Sequence, residues 1–228
     1  DEEQAKKLRQ DAIADLQTAE KALPKTRPEP WAQLAWLYET DGQPAKAVEA
    51  ATKAHERTPK GSLATLFHLA LRYANERNYT VASTALQAMV KADASQVASA
   101  IRAEKDPTAA AVALTWAVTP LLEAQQAVPA RECLAAIVAS KPQSVDPWNN
   151  YALVCRETQK FDEAFDAYQQ ALLIEPDSAR LHNDAGVILH YYLHRDYDKA
   201  QEFYEKAVEL ADAGLANKDL DTAARAQL

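Results

Sequence analysis

Apolar residues recur every three or four positions along most of this chain, the period of an α-helix with one buried face. Leu8, Ala12, Leu16, Ala19 and Leu23 form the first such stripe and predict a helix over residues 2–23. Pro24, Pro28 and Pro30 end it, because a proline inside a helix removes a hydrogen bond and its ring clashes with the preceding turn. Residues 24–29 then read as a short, stiff connector. Pro30 suits the first turn of a new helix, where a missing N–H has no partner to lose. That helix runs to about Glu39, Asp41-Gly42 makes a turn, and a second helix runs from about Pro44 to Arg57 until Thr58-Pro59 stops it. The regular Gly-rich turns and β-branched runs of a sandwich are missing, so the class is all-α.

The pattern then recurs. Trp31, Leu34, Ala35, Tyr38, Ala47, Ala54 and Pro59 are matched, offset by offset, by Trp148, Tyr151, Ala152, Cys155, Ala164, Ala171 and Pro176. Recurrence at fixed offsets marks stacked copies of one unit. The small residues let two helices approach closely and the large ones fill the space between layers. One helix pair of this size cannot bury its own apolar face, so it needs neighbours.

These residues resemble the tetratricopeptide repeat, a 34-residue helix–turn–helix unit. Its helix A carries Trp, Leu, Gly or Ala and Tyr; its helix B carries Ala, an aromatic and Ala; a Pro follows. Laying that unit on the chain gives a capping helix and connector at 1–27, a clear copy at 28–61 and a degenerate one at 63–96. An inserted helical segment follows at 97–110, then a degenerate copy at 111–144, a clear copy at 145–178 and a final copy at 179–214. Residues 215–228 read as a C-terminal capping helix, incomplete as the chain stands. Trp148 lies 117 residues after Trp31, which is three units with 15 residues over, one at Ser62 and fourteen at 97–110. In the final copy Gly186 to Ala200 spans 14 residues where Ala152 to Ala164 spans 12, so two extra residues fall near Tyr192–Arg195. His182 stands where the clear copies have Trp, and Pro120 should kink helix A of the third copy.

The resemblance implies a right-handed superhelical solenoid whose A helices line a concave groove that receives a peptide or helix of a partner protein. The groove positions are apolar in the first copies, with Trp36, Phe67 and Leu71, and polar in the last two, with Asn149, Arg156, Arg180, Asn183, His190 and Tyr191. Asn can bond both N–H and C=O of an extended backbone, and Arg can grip a carboxylate. The carboxylate clamp of some family members is incomplete here, since Thr115 and Asp184 stand where basic residues are wanted. The N-terminal helix either caps the stack or lies in the groove. The expected function is a non-catalytic scaffold or adaptor. The alternatives are a self-association module, with homo-oligomers, or the repeat segment of a larger enzyme or membrane-anchored protein. The start at Asp1 rather than Met fits a chain trimmed from a longer protein.

Composition narrows the partners. With net charge −8, and no basic stripe, nucleic acid is an unsuitable ligand. No apolar run approaches the roughly 18 residues that span a bilayer. A soluble domain, cytoplasmic or periplasmic, is expected. Cys133 and Cys155 are too few for a disulfide framework and read as buried thiols. No phosphate loop, nucleophile elbow or His-Glu-x-x-His is present. His190 and His194, four apart with Asp184, Asp196 and Asp198 near, have a metal-ligating spacing, but a Tyr- and His-rich helix end packed on its neighbour explains them as well. Neither metal nor cofactor is expected.

Overall fold

The computed structural model describes residues 2–22, 29–57 and 63–225, and every regular element among them is a helix. Connector residues 24–28, the Thr58-Pro59 stop and Ser62 lie outside the described residues. The chain divides into two units, Asp1–Ser140 and Lys141–Leu228.

The first unit holds α1 (Glu2–Ala22), α2 (Glu29–Thr40), α3 (Pro44–Glu56), α4 (Ala64–Asn75), α5 (Tyr79–Ala103), α6 (Pro107–Trp116), α7 (Thr119–Glu123) and α8 (Ala127–Val138). Helices α2 and α3 pack as one hairpin and α4 and α5 as the next. Leu34, Ala47, Leu66, Leu69, Ala82 and Leu86 are wholly buried, the large residues filling gaps that the alanines leave narrow. Helix α1 packs on α2: Ile13 is buried, Gln17 Nε2 donates to Tyr38 Oη at 2.7 Å, and Arg9 Nε sits 3.8 Å from Asp41.

Three hairpin turns of this unit and one of the second share a single geometry. Gly42, Arg77, Gln125 and Gln159 all adopt positive φ, between 57° and 70°. In each case the next residue returns its N–H to the carbonyl five back: Gln43 to Tyr38, Asn78 to Tyr73, Gln126 to Leu121 and Lys160 to Cys155, at 2.7 to 2.8 Å. This six-to-one bond closes the end of an α-helix and satisfies a carbonyl that the helix leaves free.

Two breaks in the first unit have local causes. Pro120 has no N–H to give to Trp116, and the helix is interrupted between Trp116 and Thr119, so α6 and α7 are two pieces. Within α5, Asp93 leaves helical geometry at φ −162° and ψ 95°. Its carboxylate accepts from Ser95 N at 3.0 Å, Ser95 Oγ at 2.6 Å and Gln96 Nε2 at 3.0 Å, capping a second helical stretch. These hydrogen bonds hold the Asp93 carboxyl below the usual carboxylate range. The extra helical segment therefore restarts at Asp93 rather than at residue 97.

The second unit holds α9 (Val145–Glu157), α10 (Phe161–Ile174), α11 (Ala179–Val187), a π-helical turn (Ile188–Leu193) and α12 (Tyr197–Arg225). Tyr168, Leu181, Ile188 and Leu189 centre its core, with Trp148, Phe161 and Phe203 packed around them. Trp148 Nε1 donates to Pro142 O at 3.1 Å, and His182 Nε2 makes the same contact with Pro176 O at 2.8 Å, both reaching six residues back. Histidine thus replaces the indole as a flat ring with one N–H. The two extra residues of the last copy are taken up inside helix A, where the π-turn fits more residues per turn than an α-helix. His194 then turns left-handed at φ 50°, its N–H bonded to Leu189 O, and Asp196 does so at φ 52° before α12 begins. Residues 215–225 continue α12 without a break rather than forming a separate cap.

Candidate functional site

The residues expected in the first unit's groove differ in exposure. Trp36 on α2 is 63% exposed, while Phe67 on α4 is 6% exposed and belongs to the core. Phe67 and Leu71 instead line a 540 Å³ cleft between α4 and the far end of α5, with His68, Arg72 and Glu104. Arg72 donates to Glu39 at 2.6 Å and to Glu76 at 2.9 Å, and His68 Nε2 lies 3.5 Å from Glu39. The two carboxylate bonds raise the Arg72 guanidinium further above its ordinary range. So the cleft has an apolar floor and a charged wall of two basic groups around the largely buried Glu39 carboxylate.

A larger cleft of 740 Å³ lies on the helix-B side, between α3 and α5, over Val48, Thr52, Leu66, Ala88 and Lys91. Sequence reasoning missed it, because its walls include ordinary alanine and threonine positions of two B helices.

In the second unit, α9 and α11 carry the polar positions. Asn149 is 8% exposed and its Oδ1 has no hydrogen-bond partner within the chain. Tyr168, on α10, is wholly buried and its hydroxyl is likewise unpartnered. Burial pushes the Tyr168 phenol up to about 12; Asp184 adds to the shift and Arg156 and Arg180 oppose it. All three charged groups therefore lie near the hydroxyl. Asn149, Arg156 and Arg180 were expected at the groove from their repeat positions. Tyr168 was not: it reads as the aromatic of helix B, and nothing in its spacing shows that its hydroxyl lacks a partner.

The remaining candidates separate. Asn183 is exposed, its amide 3.4 Å from the neighbouring Asp184. His190 and Tyr191 sit on the π-turn, their rings 4.2 Å apart. His194 lies beyond that turn in left-handed backbone, so no regular helix face joins it to His190. Among the described residues no group of three or more His, Cys, Asp or Glu is placed to hold a metal ion. Among the same residues no helix is long and apolar enough to cross a membrane.

Elsewhere in this unit Tyr151 Oη donates to Glu163 at 2.6 Å, tying α9 to α10. Burial, with help from that bond, raises the Tyr151 phenol well above its ordinary value. The charge is also uneven: residues 141–228 carry nine Lys and Arg against sixteen Asp and Glu, a net of −7, while residues 1–140 carry sixteen against seventeen.

Two family models, each described as tetratricopeptide repeat, match residues 143–213 and 28–60. A comparison with curated proteins finds no match. Among solved structures, a crystal structure of MamA is 20% identical and covers 78% of this chain and 95% of that one, with a TM-score of 0.45. MamA from Desulfovibrio magneticus RS-1, from residue 41 to its end, is 18% identical over 82% of this chain and 96% of that one, with a TM-score of 0.42. YrrB, described as a TPR protein with an unusual peptide-binding site, is 17% identical over 86% and 91%, with a TM-score of 0.43.

Proposed function

The chain is a tetratricopeptide-repeat protein, and we propose that its second unit binds an extended segment of a partner protein along the inner face of α9 and α11. Repeats of this kind support an interaction scaffold for protein or peptide partners and are typically non-catalytic. No reaction is assigned to the chain.

The observation that carries the finer reading is the pair of unpartnered polar atoms, Asn149 Oδ1 and Tyr168 Oη. A buried polar group without a hydrogen bond costs about 1–3 kcal/mol. An extended peptide backbone offers one N–H donor and one C=O acceptor per residue, which is what an amide oxygen and a phenol hydroxyl need. Arg156 and Arg180 act electrostatically on the Tyr168 hydroxyl and would supply cationic donors for a carbonyl or carboxylate. The cleft of the first unit at Phe67 and Leu71, walled by Arg72 and His68, is a second candidate surface for an apolar side chain.

The test is to select extended peptides from a random display library on the whole chain and measure their affinity for three variants. Asn149→Ala and Tyr168→Phe should each weaken a selected peptide by roughly fivefold to thirtyfold, the equivalent of about 1–2 kcal/mol. Phe67→Leu should leave such a peptide's binding unchanged. Peptides that bind all three variants as they bind the wild type would place the site elsewhere.

A further inference from the structure

The π-turn Ile188–Leu193 carries a cluster of aromatic rings. His190 lies 4.2 Å from the Tyr191 ring, and it meets Tyr197 at 5.7 Å and Tyr204 at 6.0 Å, both edge-on. Tyr191 and Tyr197 are 62% and 54% exposed, so two large ring faces stand in water beside this cluster. The Tyr204 hydroxyl is buried and has no partner within the chain. Widened turns of this kind are often placed at functional sites, because they re-aim side chains that an α-helix would stack in line.

The charges around the cluster point to the sign of what it meets. Between Tyr197 and Gly214, α12 carries Asp198, Glu202, Glu205, Glu209 and Asp212 against only Lys199 and Lys206. Both lysines are engaged: Lys206 with Glu209 at 2.8 Å and Lys199 over the Phe165 ring at 5.1 Å. Arg195, at the end of the turn, is held by Asp162 at 2.6 Å. The exposed carboxylates of this stretch therefore give it a net negative face, and electron-rich ring faces favour a ligand of the opposite, positive sign.

We propose that Tyr191, Tyr197 and the acidic face of α12 dock a basic segment of a partner protein. An Arg guanidinium stacks on the Tyr191 or Tyr197 ring, and neighbouring cations meet the α12 carboxylates. Arginine suits this surface better than lysine, because its flat, weakly hydrated head stacks on a ring. This inference rests on the reading of the chain as an interaction scaffold and names the chemistry of one partner.

The experiment is fluorescence anisotropy of the whole chain with a labelled Arg-Gly repeat peptide, alongside Lys-Gly, Glu-Gly and proline-rich peptides of equal length. The Arg-Gly peptide should bind tightest, and its affinity should fall as salt rises. The Tyr191→Leu/Tyr197→Leu variant should bind it roughly tenfold more weakly, and Tyr191→Phe/Tyr197→Phe should bind it like the wild type. Should the double leucine variant lose its fold, Tyr191→Leu alone, at an exposed ring, gives the same reading with a smaller loss. Equal binding of the proline-rich or Glu-Gly peptide overturns the proposal, and so does Arg-Gly binding that ignores both leucine variants. Absence of Arg-Gly binding overturns this docking site alone, since the peptides selected against Asn149 and Tyr168 test the other reading separately.

Discussion

Gly186 on α11 faces Tyr204 on α12 so closely that a Cβ on residue 186 would lie 2.9 Å from Cε1 and 3.1 Å from Cδ1 of the ring. The same Cβ would be 3.2 Å from the carbonyl oxygen of Ala200, which backbone geometry holds in place. The absent side chain at Gly186 is thus what lets the two helices meet and brings Tyr204 beside His190. Gly186→Ala should gain about 1 kcal/mol of helix propensity and lose about 1–3 to overpacking. A net loss of about 1 kcal/mol is expected in urea unfolding, and a stabilised variant would show that the ring gives way freely.

Tyr168→Phe separates stability from binding. Removing a buried hydroxyl that has no partner should leave the free chain as stable as before, or more so by up to about 1 kcal/mol. Peptide binding should weaken in the same variant. A variant that loses stability and keeps its peptide affinity would mean that the hydroxyl serves the fold.

The shared turn geometry makes an asymmetric prediction. Gly42 adopts φ 70° at no steric cost, and nothing lies within 4 Å of where its Cβ would be, so Gly42→Ala should cost about 1 kcal/mol from backbone strain alone. Gln159 holds the corresponding left-handed backbone at φ 59° with a side chain in place. Gln159→Gly should relieve that strain and raise stability by up to about 1 kcal/mol, less whatever the freer unfolded chain takes back. Thermal melts of the two variants check both signs.

Alkaline pH should weaken the fold in a defined window. Burial pushes the Cys133 thiol up from about 9 to about 12, and burial likewise pushes the Tyr168 phenol from about 10 to about 12. Both groups are neutral when protonated and have raised values in the folded chain. Below about pH 9 they are protonated whether the chain is folded or not, and they contribute no slope. Above it the unfolded chain releases their protons first, so stability falls as pH rises towards about 12. Urea midpoints at pH 8, 9, 10 and 11 should decline across that series. Cys133 should also resist a thiol reagent at pH 8 until denaturant is added.

Much of the helical architecture was legible because Leu and Ala recur at helical steps and prolines punctuate them. Pro120 shows the same rule working inside a helix, since its missing N–H separates α6 from α7. Side-chain surroundings were less legible. Repeat position puts Trp36 and Phe67 on one face, yet one is open to water and the other is core, a difference that spacing alone does not carry. Arg77, Gln125 and Gln159 adopt the backbone that Gly42 advertises, but their sequence gives no hint, since the six-to-one hydrogen bond imposes it. Asp93 looks like an ordinary polar residue inside a helix until its carboxylate is seen holding Ser95 and Gln96. The two extra residues near Tyr192 were visible as a count. Whether a loop or a widened turn absorbs them depends on packing against α12, which spacing does not encode.

That widened turn has a consequence for how such a chain can vary. Two residues inserted in a loop would leave the neighbouring surface unchanged, and two inserted in a regular helix would rotate everything after them by more than half a circle, since each residue advances about 100°. Swallowed as a single bulge next to the hairpin bend, they renew the outward chemistry at one spot while Ala200 and Ala207 still find their buried places. The last repeat thus has a place where extra residues enter without disturbing the packing that follows, and there His190, Tyr191 and Tyr192 stand together.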